Sequence, residues 1–222
     1  NYKAVHHLQG NSTDSTVYGN DGTNTAVAWE QQNNSVGLTA NGTTTNISIG
    51  SDASIDDITD GGFCASFIIN PIAGQENSAG RIFSSQSAGI GWFTLIEEQG
   101  GFYKLIFYQE FSTTDGKWQT TGLVIPNGEL SFIQIIYNND SVNNNPIFVI
   151  NGVKYTVGSG ITETTTPVGT RLTDASVTKY IGNNSAGTNT FNGFIDETKL
   201  SDKIRPSSEA ITSYNAEKSD TD

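Results

Sequence analysis

What the chain has little of narrows its chemistry first. It carries one cysteine, Cys64, so neither an internal disulfide nor a cysteine-based zinc site can be built from it. Cys64 lies in "FCASFII" among apolar neighbours, where a buried, unreactive thiol is expected. Histidine is almost as scarce, with His6 and His7 the only two. As neighbours on a strand they face opposite ways and cannot chelate one zinc together, and no Ser/His/Asp set gathers around either. Both read as packed or surface imidazoles. Positive charge is thin and scattered: 11 Lys and Arg against 23 Asp and Glu leave a formal net charge of −12. That excludes the basic footprint that nucleic acid or an anionic membrane surface requires. No apolar run approaches the ~20 residues of a membrane span, so membrane insertion is not expected. There is no methionine and no visible signal segment. Residues 1–222 are therefore expected to be a single domain excised from a larger protein, with neighbouring domains covalently linked in the parent chain.

What the chain has is strands and turns. Short β-rich runs such as "YKAVHHL", "GFCASFIIN", "RIFSS", "WFTLIEE", "FYKLIFYQ", "LSFIQIIYN", "TKYIG" and "FNGFIDETKL" alternate with "GNDGTN", "TDGG", "TTDGK", "IPNGE" and "YNNDSVNNNP". This spacing predicts an all-β sandwich of two antiparallel sheets. Asn151-Gly152 in "VINGVKY" predicts a type I′ hairpin. One helix is expected near the C-terminus, in "RPSSEAITSYNAEK". There Pro206 and a serine cap open it, and Ala210, Ile211 and Tyr214 form its apolar stripe.

Two ends of the sequence carry a family resemblance. "YKAVHHLQGNSTDSTVYGNDGT" is similar to the opening strand and Asp-Ser-x-Gly-Asn turn of laminin G-like domains. "YIGNNSAGTNTFNGFIDETKLSDKIRPSSEAITSYN" resembles their closing Ile-Gly strand, Phe-x-Gly-x-Ile-Asp-Glu strand and short helix. The central "IPNGELSFIQIIYNND" and "PIFVINGVKY" fit the same pattern, so the resemblance covers nearly the whole chain. It departs at "LSFIQIIY", which lacks the family's Trp and His, and at "STVYGN", where the family's turn is "SGNGN". The resemblance implies a concanavalin A-like jelly roll whose first and last strands lie side by side. It also implies a structural calcium ion at their junction, with Asp14 and Asp196 as side-chain ligands and Asn20 beside them. The competing expectation is that Asp196 caps turn amides or pairs with Lys199 or Lys179.

No catalytic set stands out. A glycosidase needs two carboxylates a fixed distance apart, and neither "LIEEQ" nor "IDET" has the glucanase spacing. The stretch "FYKLIFYQE" resembles one strand of jelly-roll alginate lyases, but the accompanying His and Arg strands are missing, and "FIQII" has no histidine. "DDITDGG" and "NNDSVNNNP" lack calcium-loop spacing and read as turns, and the Asn-x-Ser/Thr sequons follow from composition. Among the aromatics, Trp92 and Tyr103 are weighed as sugar platforms and Trp29 reads as core. Trp118, in the polar stretch "TTDGKWQTT", is expected to be an exposed one. Tyr108 and Lys104 share a strand face. If that face coincided with the face bearing Gln134, the three would form a polar patch for a ligand. The expected function is a non-catalytic, extracellular or virion-surface module that binds a glycan or cell-surface polysaccharide. A structural or adhesive spacer is the alternative, and a polysaccharide-degrading enzyme with an unrecognised site is the third.

Overall fold

Alternate residues of the long strands point to opposite faces, and the apolar inner faces of the two sheets meet. In β9 (Phe102–Gln109) Tyr103, Leu105 and Phe107 are fully buried while Lys104 and Tyr108 point away. In β12 (Ser131–Tyr137) Ile133, Ile135 and Tyr137 enter the same core. The computed structural model describes residues 2–32 and 35–219 and shows two antiparallel sheets packed face to face.

The first sheet runs in the order β3 (Ala28–Gln32), β4 (Ser35–Asn41), β17 (Asn192–Ser201), β6 (Phe63–Pro71), β12, β13 (Ile147–Ile150) and β14 (Val153–Val157). β1 (Tyr2–His6) pairs with the C-terminal half of β17, placing His6 opposite Thr198, so the terminal strands are neighbours as expected. The second sheet runs β2 (Thr23–Thr25), β5 (Asn46–Gly50), β16 (Lys179–Ile181), β7 (Ala79–Ser87), β8 (Ile90–Gln99), β9, β10 (Gly116–Thr120) and β15 (Gly160–Thr165). The short β11 (Ile125–Pro126) continues beside β9, and a two-residue parallel pairing of β14 with β15 joins the sheets at one edge.

Local chemistry explains the connections. Asn151 and Gly152 both have positive φ, 49° and 77°, which is the type I′ geometry that suits the twist of the β13–β14 hairpin. The helix α1 (Ser207–Ser219) follows Pro206 and lays Ala210, Ile211 and Tyr214 over Phe132, Val149 and Ile68, on the outer side of the first sheet. Loops 52–60 and 171–179 are tied together at one end. Arg171 pairs with Asp57 at 2.6 Å, Lys179 pairs with Asp56 at 2.6 Å, and Asp174 accepts from the amide of Asp57 and the hydroxyl of Ser85.

Trp118 is not an exposed platform. β10 is a strand whose polar sequence hides its pattern: Gly116, Trp118 and Thr120 point inward, Lys117 and Gln119 outward. The indole has no solvent exposure, stacks on Phe107 at 5.9 Å, and donates its Nε1–H to Asn145 Oδ1 at 2.8 Å. Gly116 makes room for it, since a Cβ there would lie 2.2 Å from the ring. Trp92 and Tyr103 are likewise core residues, whereas Trp29 is only partly buried against the core. Cys64 is buried, and burial pushes its thiol up to about 12.

Candidate functional site

The outward face of the second sheet carries a network of interacting polar and aromatic groups. Cross-strand register fixes one row across it: Thr23, Ser48, Tyr180, Ser84, Phe93, Tyr108, Lys117 and Thr165. Phe93 and Tyr108 stack at 4.8 Å with their rings 10° apart. The Arg81 guanidinium lies over Phe93, 3.6 Å from its centroid. Arg81 Nη1 donates to Ser84 Oγ and to Gln86 Oε1, each at 2.9 Å, and Gln86 Nε2 donates to Glu110 Oε1 at 2.7 Å. Gly91 stands opposite Gln86, and its carbonyl accepts the Glu110 amide.

Asp115 completes the network. Its Oδ1 accepts the Phe111 amide at 3.0 Å and its Oδ2 accepts the Tyr108 hydroxyl at 3.2 Å. Burial raises the Glu110 carboxyl to about 7; the Gln86 bond opposes this and the neighbouring Asp115 adds to it. Burial, then the charge of Asp115, pushes the Tyr108 phenol up to about 12, so Tyr108 stays a donor. At the Tyr180 end the face opens into a depression of about 410 Å³, walled by Ser87, Ala88 and Ile90 of the β7–β8 turn and by Ser176 and Thr178. Tyr180 and Tyr108 are three strands apart, a span of about 14 Å at ~4.8 Å per strand.

Of the residues singled out in the sequence, Tyr108 and Lys104 share this face, and Lys104 stands opposite Glu97. Gln134 does not join them. It lies on the outward face of the other sheet, between Phe132 and Ile136, opposite Val149 and with the core between it and Tyr108. The shared patch expected of these three residues is not formed, because β9 and β12 belong to different sheets. Arg81, Phe93, Gln86, Glu110 and Tyr180 were not singled out. Only pairing register brings Tyr180 and Phe93 into one row and sets Arg81, Gln86 and Glu110 beside it.

Asp14, Asn20 and Asp196, the residues expected to hold calcium, are each engaged in hydrogen bonds within the chain. Asp14 is buried, and its carboxylate accepts the amides of Val5, Thr16 and Asn20, each at 2.9 Å, and the Thr16 hydroxyl at 2.8 Å. Burial opposes its ionisation, but these bonds outweigh it and hold the carboxyl below the usual carboxylate range. The Asn20 side chain donates to the Lys3 carbonyl and to Ser54, leaving Oδ1 as the buried oxygen without a partner. Asp196 is engaged elsewhere, by the Ser35 hydroxyl and the Glu197 amide. Among the described residues no group of three or more His, Cys, Asp or Glu is arranged to hold a metal. Asp196 accepts one backbone amide, that of Glu197. The lysines have other partners, Lys199 with Glu197 and Lys179 with Asp56. A bulge explains the adjacent acids: between the pairs Asp196–Ile68 and Lys199–Ser66, two residues of β17, Glu197 and Thr198, oppose one of β6, Phe67, and Glu197 has φ 49°. Glu197 then reaches His7 Nδ1 at 2.6 Å. His6 is fully buried, with Nδ1 against the Ser12 carbonyl, and burial lowers its pKa.

Solved structures share this architecture. Domain 4 of AbnA, an extracellular arabinanase from Geobacillus stearothermophilus solved in complex with arabinotriose, is 16% identical. It covers 95% of this chain and 97% of its own, with a TM-score of 0.64. The binding domain of Paraclostridial Mosquitocidal Protein 1 is also 16% identical, covering 97% of this chain and 52% of its own, TM-score 0.69. The botulinum neurotoxin serotype G binding domain gives 16% identity, 98% and 51% coverage, and a TM-score of 0.66. This chain spans about half the length of the two toxin domains, and at such identities the likeness establishes the fold alone. No curated protein sequence matches. A family profile described as the concanavalin A-like lectin/glucanases superfamily matches residues 21–210, and with the two-sheet architecture this places the chain in that superfamily.

Proposed function

We propose that the protein is a non-catalytic glycan-binding module of an extracellular or surface protein, and that the outward face of the second sheet is its binding face. The observation that carries this reading is the outward face on which the cross-strand row Tyr180, Ser84, Phe93 and Tyr108 borders the hydrogen-bonded chain of Arg81, Gln86 and Glu110. Glycan sites combine flat aromatic surface with a few fixed polar groups, and this face supplies both beside a depression that leads away from it. The arabinotriose complex of AbnA domain 4 supports the class of ligand. A hydrolytic role is disfavoured by geometry. Glu110 is held by Gln86, and Asp115 by the Phe111 amide and the Tyr108 hydroxyl, so neither carboxyl is free to flank a scissile bond as a glycosidase pair does.

The test is a glycan array followed by titration with the wild type, Tyr108→Ala and Tyr180→Ala. We expect binding in the wild type and a loss of about tenfold or more in each variant, equivalent to about 1.4 kcal/mol. An array without binding would favour the structural or adhesive spacer instead. Unchanged affinity in both variants would move the site off this face.

A further inference from the structure

Arg81 is a nearly buried cation, 7% exposed, whose hydrogen bonds go only to neutral groups. Nη1 meets the Ser84 hydroxyl and the Gln86 amide oxygen, and Nε is buried without a partner. Nη2 makes no hydrogen bond among the described residues and, unlike Nε, is not sealed in. No described carboxylate lies within ion-pair distance of the guanidinium; Glu110 is held off by the Gln86 amide, which bridges the two. Burying a guanidinium without an anion is costly, and folded proteins ordinarily pair such a charge. Burial here pulls Arg81 down to about 10, with Glu110 acting against that fall. The planar guanidinium is the side chain best suited to grip a carboxylate with two donors. Arg81 stands opposite Leu95, beside the row that holds the aromatic pair, with its guanidinium fixed on the face of Phe93.

We infer that Arg81 is the docking point for a ligand carboxylate, so that this face selects a glycan built from uronic acid units over its neutral counterpart. The inference rests on the glycan-binding reading above and adds the chemical class of the sugar. The net charge of −12 does little against it, since charges more than about 8 Å away are largely screened at physiological salt. Nearby, the charged and titratable groups facing Arg81 and Glu110 are Asp115 from the β9–β10 loop, Tyr108 of β9, Lys117 of β10 and Tyr180 of β16. β8 contributes only Phe93 and Leu95 at this level. A ligand carboxylate beside Arg81 is repelled by Glu110 only when Glu110 is ionised. Affinity for the acidic sugar is therefore expected to rise as pH falls from 8 to about 6.

The decisive experiment compares an oligouronate with the same oligosaccharide after its carboxyl groups have been reduced to alcohols, by titration calorimetry at pH 6 and pH 8. The wild type is expected to bind the oligouronate at least tenfold more tightly, with the larger preference at pH 6. Arg81→Gln is expected to bind both alike. Because Arg81 is buried and its loss could disturb the sheet, Gln86→Glu provides a second arm. It places an internal carboxylate against the guanidinium and should abolish the preference, read as the ratio of the two affinities within the variant. If the wild type binds the reduced form as well as the acidic one, or if Gln86→Glu keeps the preference, the inference is overturned and glycan binding stands. If neither oligosaccharide binds and the array is blank, glycan binding itself fails.

Discussion

A carboxylate without access to solvent must find donors or keep its proton. Asp196, 0% exposed, has two donors, the Ser35 hydroxyl and the Glu197 amide, and burial still raises its pKa from 3.8 to about 6. The nearby Glu197 charge adds to the rise, and His7 acts against it. The sign follows from proton linkage. Below about pH 3.8 both folded and unfolded forms hold the proton. Between about 3.8 and 6 the unfolded form releases it first, so stability falls as pH rises, and above 6 the penalty is constant. Its size is roughly 3 kcal/mol for a shift of this order. Asp196→Asn keeps an acceptor for Ser35 or Glu197 and removes the ionisation. Urea unfolding at pH 4 and pH 8 should show the variant gaining on the wild type by up to roughly 3 kcal/mol at the higher pH. A difference between the two proteins that does not change with pH would mean that Asp196 titrates normally.

At the scale of elements, polar strands were the part of this fold that the sequence concealed. "FCASFII", "FYKLIFYQ" and "LSFIQIIY" announce themselves by apolar alternation, and β6, β9 and β12 stand where they were expected. The Asn151-Gly152 hairpin and the terminal helix were legible because turn chemistry and helical spacing are local signals. β10 was not: "GKWQT" has one large apolar residue, and its inward partners are a glycine and a threonine. Trp118 consequently looked like a surface ring beside a turn, and "NISIG" and "GITETT" passed unnoticed for the same reason. The binding face was less legible still, because Tyr180, Arg81, Phe93 and Tyr108 lie on four strands and meet only through register. The placement of β10 has a direct consequence. Trp118→Ala should lose about 3–5 kcal/mol, as a large aromatic removed from a core does, with the cavity set against Phe107 and Tyr137. A melting temperature within a degree of wild type would return Trp118 to the surface.

At the scale of the whole molecule, the question is what closes the domain where its first and last strands meet. β1 lies on β17 through the pairs Ala4–Leu200, Val5–Lys199 and His6–Thr198, and the chain then turns back through residues 14–20. Asp14 does the closing: its four acceptor bonds reach Val5 in β1 and Thr16 and Asn20 in the turn. Hydrogen bonds to a charged group are each worth about 1.5–3 kcal/mol, and donors left bare in a buried site cost more than the bonds alone. Asp14→Ala should therefore destabilise by at least ~3 kcal/mol. Because the Asp14 carboxyl is held below its ordinary range, its contribution is present above the unfolded value and is lost as pH falls through the folded one. A calcium ion would have to displace these N–H and O–H donors, which point their hydrogens at the oxygens a metal would need. Adding calcium after EDTA treatment is accordingly expected to leave the melting temperature unchanged. A structural ion at a hundredfold excess over its Kd would instead add about 2.7 kcal/mol, or roughly 5–10 °C for a chain of this length. If a rise of that size is seen and disappears in Asp14→Asn but persists in Asp196→Asn, the 14–20 turn holds calcium through its own oxygens, and the hydrogen-bonded closure described here is wrong.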